Sequence, residues 1–182
     1  MGAQGSFTID GATQRKSTAD CPLRIGIGHD THRTGPGDGL RLGGVDVPHD
    51  RSMVGHSDAD VLLHAITDAI LGAAATGDIG ELFPDNDPAN AGRDSAEMLS
   101  IAAAQVNRLG LVIVNLDTIV FAQRPKLGPH KSAIRHRIAE ILGISPDCVG
   151  VKAKTAEGLD AVGREEAIAA QCIALLQQKS EI

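Results

Sequence analysis

The stretch that most limits the fold is SDADVLLHAITDAILGAAATG, residues 57–77. Between Val61 and Leu71 nearly every position is apolar: Val61, Leu62, Leu63, Ala65, Ile66, Ala69, Ile70 and Leu71. A helix of that composition is apolar almost all round, so other layers must cover most of it. Ser57 or Asp58 is placed to cap its start and Gly77 to stop it. One polar stripe interrupts the apolar surface. Asp60, His64 and Asp68 follow one another at i, i+4 and i+8, with Thr67 beside them, and so share a helix face. An unpartnered buried polar group costs about 1–3 kcal/mol, so this stripe must meet polar partners.

The remaining chain supplies the covering layers. Leu23–Ile27 reads as a short strand, and TGPGDG (34–39) as a turn-rich loop. LRLGGVDVP (40–48) reads as a hairpin about Gly43-Gly44. A long polar loop follows at 77–92, then a helix at 94–110 with Asp94 as cap and Gly110 as stop. LVIVNLDTIVFAQ (111–123) is β-branched and alternating, hence a strand, which RPKLGP breaks. A helix at 130–143, a strand at 149–155 and a final helix at 164–179 complete the order. Mixed strands and helices with an early hairpin give an α/β class (an α+β sandwich): one mixed sheet with helices packed on one face. Residues 1–21 are rich in Gly, Ser, Thr and Gln without periodicity, and read as a disordered, dispensable extension to a single domain at 22–182.

Composition removes several function classes. With three Phe and no Tyr or Trp, the chain has almost no rings on which bases could stack. A net charge of -6 also argues against general binding to nucleic-acid backbones, although local clusters of Lys and Arg still suit a small anionic substrate. Cys21, Cys148 and Cys172 are odd in number and unpaired in spacing, as in a reducing compartment. A cytoplasmic protein is expected; Asp10 and Asp20 count against a transit peptide. MGAQGS fits the loose N-myristoylation pattern, but Gly and Ser are common in such starts. No apolar run reaches the roughly 18 residues of a membrane helix.

Three groups of residues carry chemistry. In IGIGHDTHRTG (25–35), Asp30 and His32 fall on one side of an extended chain and His29 on the other. With His64 they make a carboxylate and two imidazoles, which suit zinc with a fourth position open. Asp60 or Asp68, one turn from His64, would accept its second ring N–H. The competing reading is a set of structural hydrogen bonds between strand end and helix. Lys126, Lys152 and Lys154 gather positive charge near Thr155 and Glu157, a setting for phosphates and a hard cation or simply solvated lysines. Asp78, Asp85 and Asp87 either grip sugar-like hydroxyls or line an acidic surface loop. His49, His130 and His136 read as surface residues.

The segments GHDTH, HSDADVLLHAITDAILGAAATGDIGELFPDNDP and AQRPKLGPH…VKAKTAEGLDAVGREEAIA, in order between Leu23 and Leu176, resemble the 2-C-methyl-D-erythritol 2,4-cyclodiphosphate synthase family. The resemblance implies a lyase of the non-mevalonate isoprenoid pathway that releases CMP from a CDP-linked substrate. It implies Zn²⁺ at Asp30, His32 and His64, and Mg²⁺ or Mn²⁺ at Glu157. It implies transition-state roles for His56 and Thr155, and substrate contacts from Asp30, Thr31, His32, His56 and Ser57. Asp78, Ile79, Gly80, Phe83, Pro84, Asp85, Asn86 and Asp87 match the methylerythritol pocket. Ala122, Gln123, Arg124, Pro125, Lys126, Leu127 and Gly128, with Lys154, Thr155, Ala156 and Glu157, match the cytidine and phosphate loops. Arg164 matches a position tied to a phosphorylated ligand at the axis of a homotrimer whose sites lie between subunits. Nucleic acid and membrane are not implied partners.

Lys154, Ala161 and Glu165 depart from the family pattern, where Thr, an aromatic residue and Gly are common: Lys154 adds charge near a phosphate, and Ala161 and Glu165 bear on the role of Arg164 at that axis. Two other classes compete: a zinc-dependent phosphoester hydrolase, which needs a general base beside the open metal position, and a non-catalytic metal-stabilised trimeric module. The intact AQRPKLG and KAKTAEG segments speak against both.

Overall fold

A computed structural model of the chain describes residues 22–179 other than His56 and Asp85. The expectation for residues 1–21 therefore lies outside the described residues. The elements are β1 (Leu23–Pro36), β2 (Leu40–Leu42), β3 (Val45–Val47), β4 (Arg51–Val54), α1 (Val61–Ala74), α2 (Ile79–Leu82), α3 (Ser95–Arg108), β5 (Leu111–Phe121), α4 (Lys131–Leu142), β6 (Val149–Lys154), α5 (Asp160–Gly163) and β7 (Ala167–Gln178). Five strands form one mixed sheet in the order β4-β1-β7-β5-β6, and β2-β3 is the expected hairpin. Only β5 and β6 run parallel, joined through α4.

Helix α1 lies across β1 and β7, with α3 packed beside it and α4 over β6. Its apolar girdle is buried from Val61 to Leu71, as its composition requires. The approach to β1 is very close. A Cβ on Gly26 would sit 2.0 Å from the Ala69 carbonyl oxygen, and one on Gly28 would sit 1.9 Å from that of Ala65. Two glycines on one face of β1 are what let the helix and the strand come together.

Three expectations are corrected. First, β1 runs on to Pro36, so His29, Asp30 and His32 lie within a strand rather than beyond its end. Alternation then places Gly26, Gly28, Asp30 and His32 toward α1, while Ile25, Ile27, His29 and Thr31 face away. Second, the final segment is not a helix but β7, the central strand, paired antiparallel to β1 and β5. Its Ala, Leu and Gln content favours helix locally, but tertiary pairing overrides propensity. From Gln171 onward its burial has period two: Cys172, Ala174 and Leu176 are buried, whereas Ile173 and Gln177 are exposed. The small Ala170 and Ala174 also leave room for α1. Third, the cap of α1 is Asp60, not Ser57 or Asp58, and the helix stops at Ala75 in the left-handed region, two residues before Gly77.

The Asp60 carboxylate explains its choice as cap. It accepts from the backbone N–H groups of Leu62 and Leu63 at 3.2 and 3.1 Å, and from Gly43 and Gly44 at 2.9 and 2.6 Å. Gly43 and Gly44 both have positive φ, as a two-residue hairpin turn requires. One fully buried carboxylate thus starts α1 and fastens the β2–β3 turn to it. Burial pushes its pKa up to about 6, against the opposing pull of the Gly44, Gly43 and Leu63 N–H groups. Asp60→Ala removes a cap and strands two hairpin donors, so it is expected to cost about 3–5 kcal/mol in chemical denaturation. A cost below about 1 kcal/mol would mean water replaces the carboxylate without penalty.

Candidate metal centre and substrate cleft

Asp30 and His32, two apart on β1, meet His64 from the second turn of α1. Asp30 Oδ2 lies 2.9 Å from His32 Nε2 and 2.9 Å from His64 Nδ1, and the two ring nitrogens are 3.1 Å apart. The rings are tilted by 57° with centroids 5.2 Å apart, so they converge at an angle instead of stacking. Tetrahedral zinc with bonds near 2.0–2.1 Å has donor–donor edges of about 3.3 Å, so this triangle needs only a slight opening to hold it. Among the described residues it is the one group of three His, Cys, Asp or Glu donors close enough to share an ion.

The far nitrogens of both rings are occupied. His32 Nδ1 lies 3.2 Å from the Val54 carbonyl oxygen, which only an N–H can approach as partner. In the neutral, metal-binding form of the ring this leaves the lone pair of His32 on Nε2. His64 Nε2 lies 2.8 Å from Ser95 Oγ and 3.1 Å from Ser57 Oγ. The expected carboxylate partners of His64 are engaged elsewhere, Asp60 at the hairpin and Asp68 with the Ile79 N–H at 2.8 Å.

Charge follows the geometry. Burial pushes the Asp30 carboxyl up, but the imidazoles of His32 and His64 beside it outweigh burial and hold Asp30 well below the usual carboxylate range. Burial opposes the charged form of His32, yet in that form the ring can also donate to Asp30, and the carboxylate raises the imidazole above its ordinary value. Asp68 is raised, chiefly by burial.

The cluster opens into a cleft of about 320 Å³ that Ser57, Asp68, Ile79, Gly80, Phe83, Asn90 and Met98 also line. Three of the residues expected at the pocket, Ile79, Gly80 and Phe83, line this cleft. Phe83 is buried, with the Arg93 guanidinium 5.0 Å from its ring centroid. Asp78 caps α2 by accepting from Glu81 N–H, and Asp87 accepts from Ala89 N–H. Pro84, Asn86 and Asp87 are exposed beside the cleft. His56 and Asp85 lie outside the described residues. Thr31 faces the opposite side of β1 and lines another cleft with Arg33, Arg51, Ala161 and Glu166. Arg164 is paired with Glu166 at 3.0 Å. Asn90 and Met98 were missed; nothing near them in sequence marks them as lining residues.

The second expected group forms its own cleft of about 380 Å³ where β5 and β6 end together. Ala122, Gln123, Pro125, Lys126, Leu127, Gly128, Lys154 and Thr155 line it. Ala122 N–H donates to the Lys154 carbonyl at 2.9 Å, which ties the two strand ends. Arg124 is exposed in the same loop. Thr155 Oγ donates to Glu157 at 2.5 Å, and Ala156 lies between them in the chain. Lys152 does not join this group: it pairs with Asp117 at 2.5 Å. The two clefts share no lining residue. His136 fits the surface reading, but His130 is half-buried and the His49 side chain is only 6% exposed, 3.2 Å from Asp50.

Fold and site together define a class: a mixed α/β domain whose strand–helix seam brings together three donors that could hold a metal ion, at the edge of a cleft. The family model described as the YgbB family matches residues 23–177, and the chain belongs to that family. A 2-C-methyl-D-erythritol 2,4-cyclodiphosphate synthase from Gemmatimonas aurantiaca is 53% identical over 146 residues, covering 80% of this chain and 88% of the relative. Among solved structures, the bifunctional IspDF of Campylobacter jejuni matches with TM-score 0.83 and 40% identity over 86% of this chain. This chain spans 42% of that bifunctional protein. IspF of Plasmodium falciparum, solved as a CDP complex, matches with TM-score 0.77 and 36% identity, over 87% of this chain and 97% of that one.

Proposed function

We propose that the chain converts 4-diphosphocytidyl-2-C-methyl-D-erythritol 2-phosphate to 2-C-methyl-D-erythritol 2,4-cyclodiphosphate and CMP. The observation that carries this reading is the convergence of Asp30, His32 and His64 donors, 2.9–3.1 Å apart, beside Ile79, Gly80 and Phe83. In the reaction an oxygen of the 2-phosphate attacks the β-phosphorus. The bond from that phosphorus to the bridging oxygen breaks, and CMP leaves with the oxygen. One P–O bond forms as another breaks, and no water or redox partner enters.

Catalysis of this kind is mostly positioning and stabilisation of developing charge. When bound, zinc at Asp30, His32 and His64, with Mg²⁺ or Mn²⁺ at Glu157, supplies positive charge to the diphosphate oxygens. Phe83 and Ile79 offer the methylerythritol an apolar wall, and Ser57 donates its hydroxyl to a phosphate. Lys126 and Lys154 balance the diphosphate, while the 122–128 loop holds the cytidine. His56 and Thr155 are assigned to the transition state. Incubation with substrate and Mg²⁺ should yield CMP, and prior chelation should stop it. CMP release unaffected by chelation would remove the metal from the account.

The assembly is a homotrimer with sites shared between chains, in a bacterial cytoplasm. Two features support the trimer. The sheet face turned away from α1 exposes Ile25 at 74% and Ile27 at 69%, a surface suited to burial against another copy. The metal cleft and the lysine cleft also share no residue within one chain. His64→Ala and Glu157→Ala should each be nearly inactive alone. Unfolded, mixed and refolded together, they should regain a fraction of activity set by random mixing. Mixed trimers as inactive as their parents would mean the site is not shared.

Among the described residues no helix is long and apolar enough to cross a membrane. Residues 1–21 are proposed to be dispensable: deleting them is expected to leave activity and melting temperature unchanged.

A further inference from the structure

We propose that Ser95 and Asp58 form a hydrogen-bonded chain that fixes the tautomer of His64 and so sets how tightly the triad holds its metal; the inference rests on the metal reading above. Ser95, the first residue of α3, is fully buried. Its hydroxyl touches Asp58 Oδ1 on one side and His64 Nε2, at 2.8 Å, on the other. Asp58 is placed to receive it: its second oxygen accepts from Ser95 N–H at 3.3 Å, and its own N–H donates to the Arg93 carbonyl.

The directions of these bonds follow from the groups themselves. Both Asp58 oxygens act as acceptors, from the N–H groups of Ser95 and Asp60, so the single hydroxyl hydrogen of Ser95 goes to Asp58. Ser95 Oγ can then only accept from His64. Nε2 must therefore carry the ring hydrogen, which leaves the lone pair on Nδ1, the nitrogen 2.9 Å from Asp30 and 3.1 Å from His32. The protein thus presents His64 ready to ligate through Nδ1. Without the chain the ring is free to place its hydrogen on Nδ1, where it would block the metal.

Ser57 Oγ also lies 3.1 Å from Nε2, but it is differently placed. It accepts from Ala59 N–H, has no carboxylate at its hydroxyl hydrogen, and lines the open cleft. It is free to turn to a substrate phosphate, whereas Ser95 stays with the ring. Ser95 is therefore a positioning residue, and Ser57 a substrate contact that shares its acceptor site.

The test is zinc affinity of the full-length chain by competition with a chromophoric chelator, for wild type and the variants Ser95→Ala, Asp58→Asn and Ser57→Ala. The visible absorption of the cobalt(II)-loaded proteins reports the ligand field, and melting of the metal-free proteins is the structural control. Loss of an outer partner to a metal-bound histidine weakens binding about 10–100-fold. That weakening is expected for Ser95→Ala and Asp58→Asn, with a shifted cobalt band and little change in metal-free melting. Ser57→Ala should bind zinc as wild type does. If Ser95→Ala does not fold, Asp58→Asn decides. Wild-type affinity in both Ser95→Ala and Asp58→Asn overturns the chain, as does equal weakening by Ser57→Ala. Wild-type protein that takes up no zinc instead overturns the metal reading.

Discussion

Gly28→Ala is expected to lower the melting temperature by roughly 6–12 °C and to take metal binding with it. The added Cβ would sit 1.9 Å from the Ala65 carbonyl oxygen and 2.8 Å from Ala69 N. Both are backbone atoms of a buried helix, so no side chain can swing aside. The helix must lift from the strand. Overpacking typically costs 1–3 kcal/mol, and contact with backbone puts this site at or above about 3 kcal/mol, with about 2–4 °C for each. The movement also separates Asp30 and His32 on β1 from His64 on α1, and donor atoms held near 3 Å cannot follow it. Gly72→Ala is the control. On the same helix its Cβ would meet nothing nearer than 4.0 Å, so it should be neutral or stabilising by about 0.5–1 kcal/mol. Equal melting of Gly28→Ala and wild type would show that the close approach is not what holds the layers.

The second large effect is on turnover. His64→Ala is expected to abolish stoichiometric zinc and reduce kcat by about a thousandfold or more, since Lewis-acid stabilisation of the transition state contributes several kcal/mol. Two donors on one strand remain, too few for the three-ligand site. The fold should survive, because α1 keeps its Asp60 cap and its apolar girdle. Metal analysis finding one zinc per chain in this variant, or turnover within tenfold of wild type, would remove His64 from the site.

How much of this was legible in the sequence follows from the range of the forces involved. Strand alternation was enough to pair Asp30 with His32, and helical spacing placed His64 on a stripe that had to meet something polar. The apolar run from Val61 to Leu71 announced a helix covered by other layers. Strand β7 was misread because Ala, Leu and Gln favour helix locally, and its period-two burial comes from α1 on one side. Ser57 or Asp58 was the cap expected from SDAD; Asp60 takes that place because the Gly43-Gly44 turn, some sixteen residues earlier, also needs its oxygens. Ser95 lies 31 residues from the ring it orients, and no local pattern links them. The sequence signal that existed was a run of capping residues, Asp94-Ser95, at a helix start, and it pointed only to a cap.

The central claim is cyclisation rather than hydrolysis, and the source of the attacking oxygen tests it most directly. The full-length protein should be run with the CDP-linked substrate in water enriched in oxygen-18, and the phosphorus products read by NMR and mass spectrometry. Attack by the substrate's own 2-phosphate predicts CMP and a cyclic diphosphate, neither carrying the heavy isotope. An open-chain phosphate or CMP bearing oxygen-18 would show that water is the nucleophile, and would make the chain a metal-dependent phosphoester hydrolase.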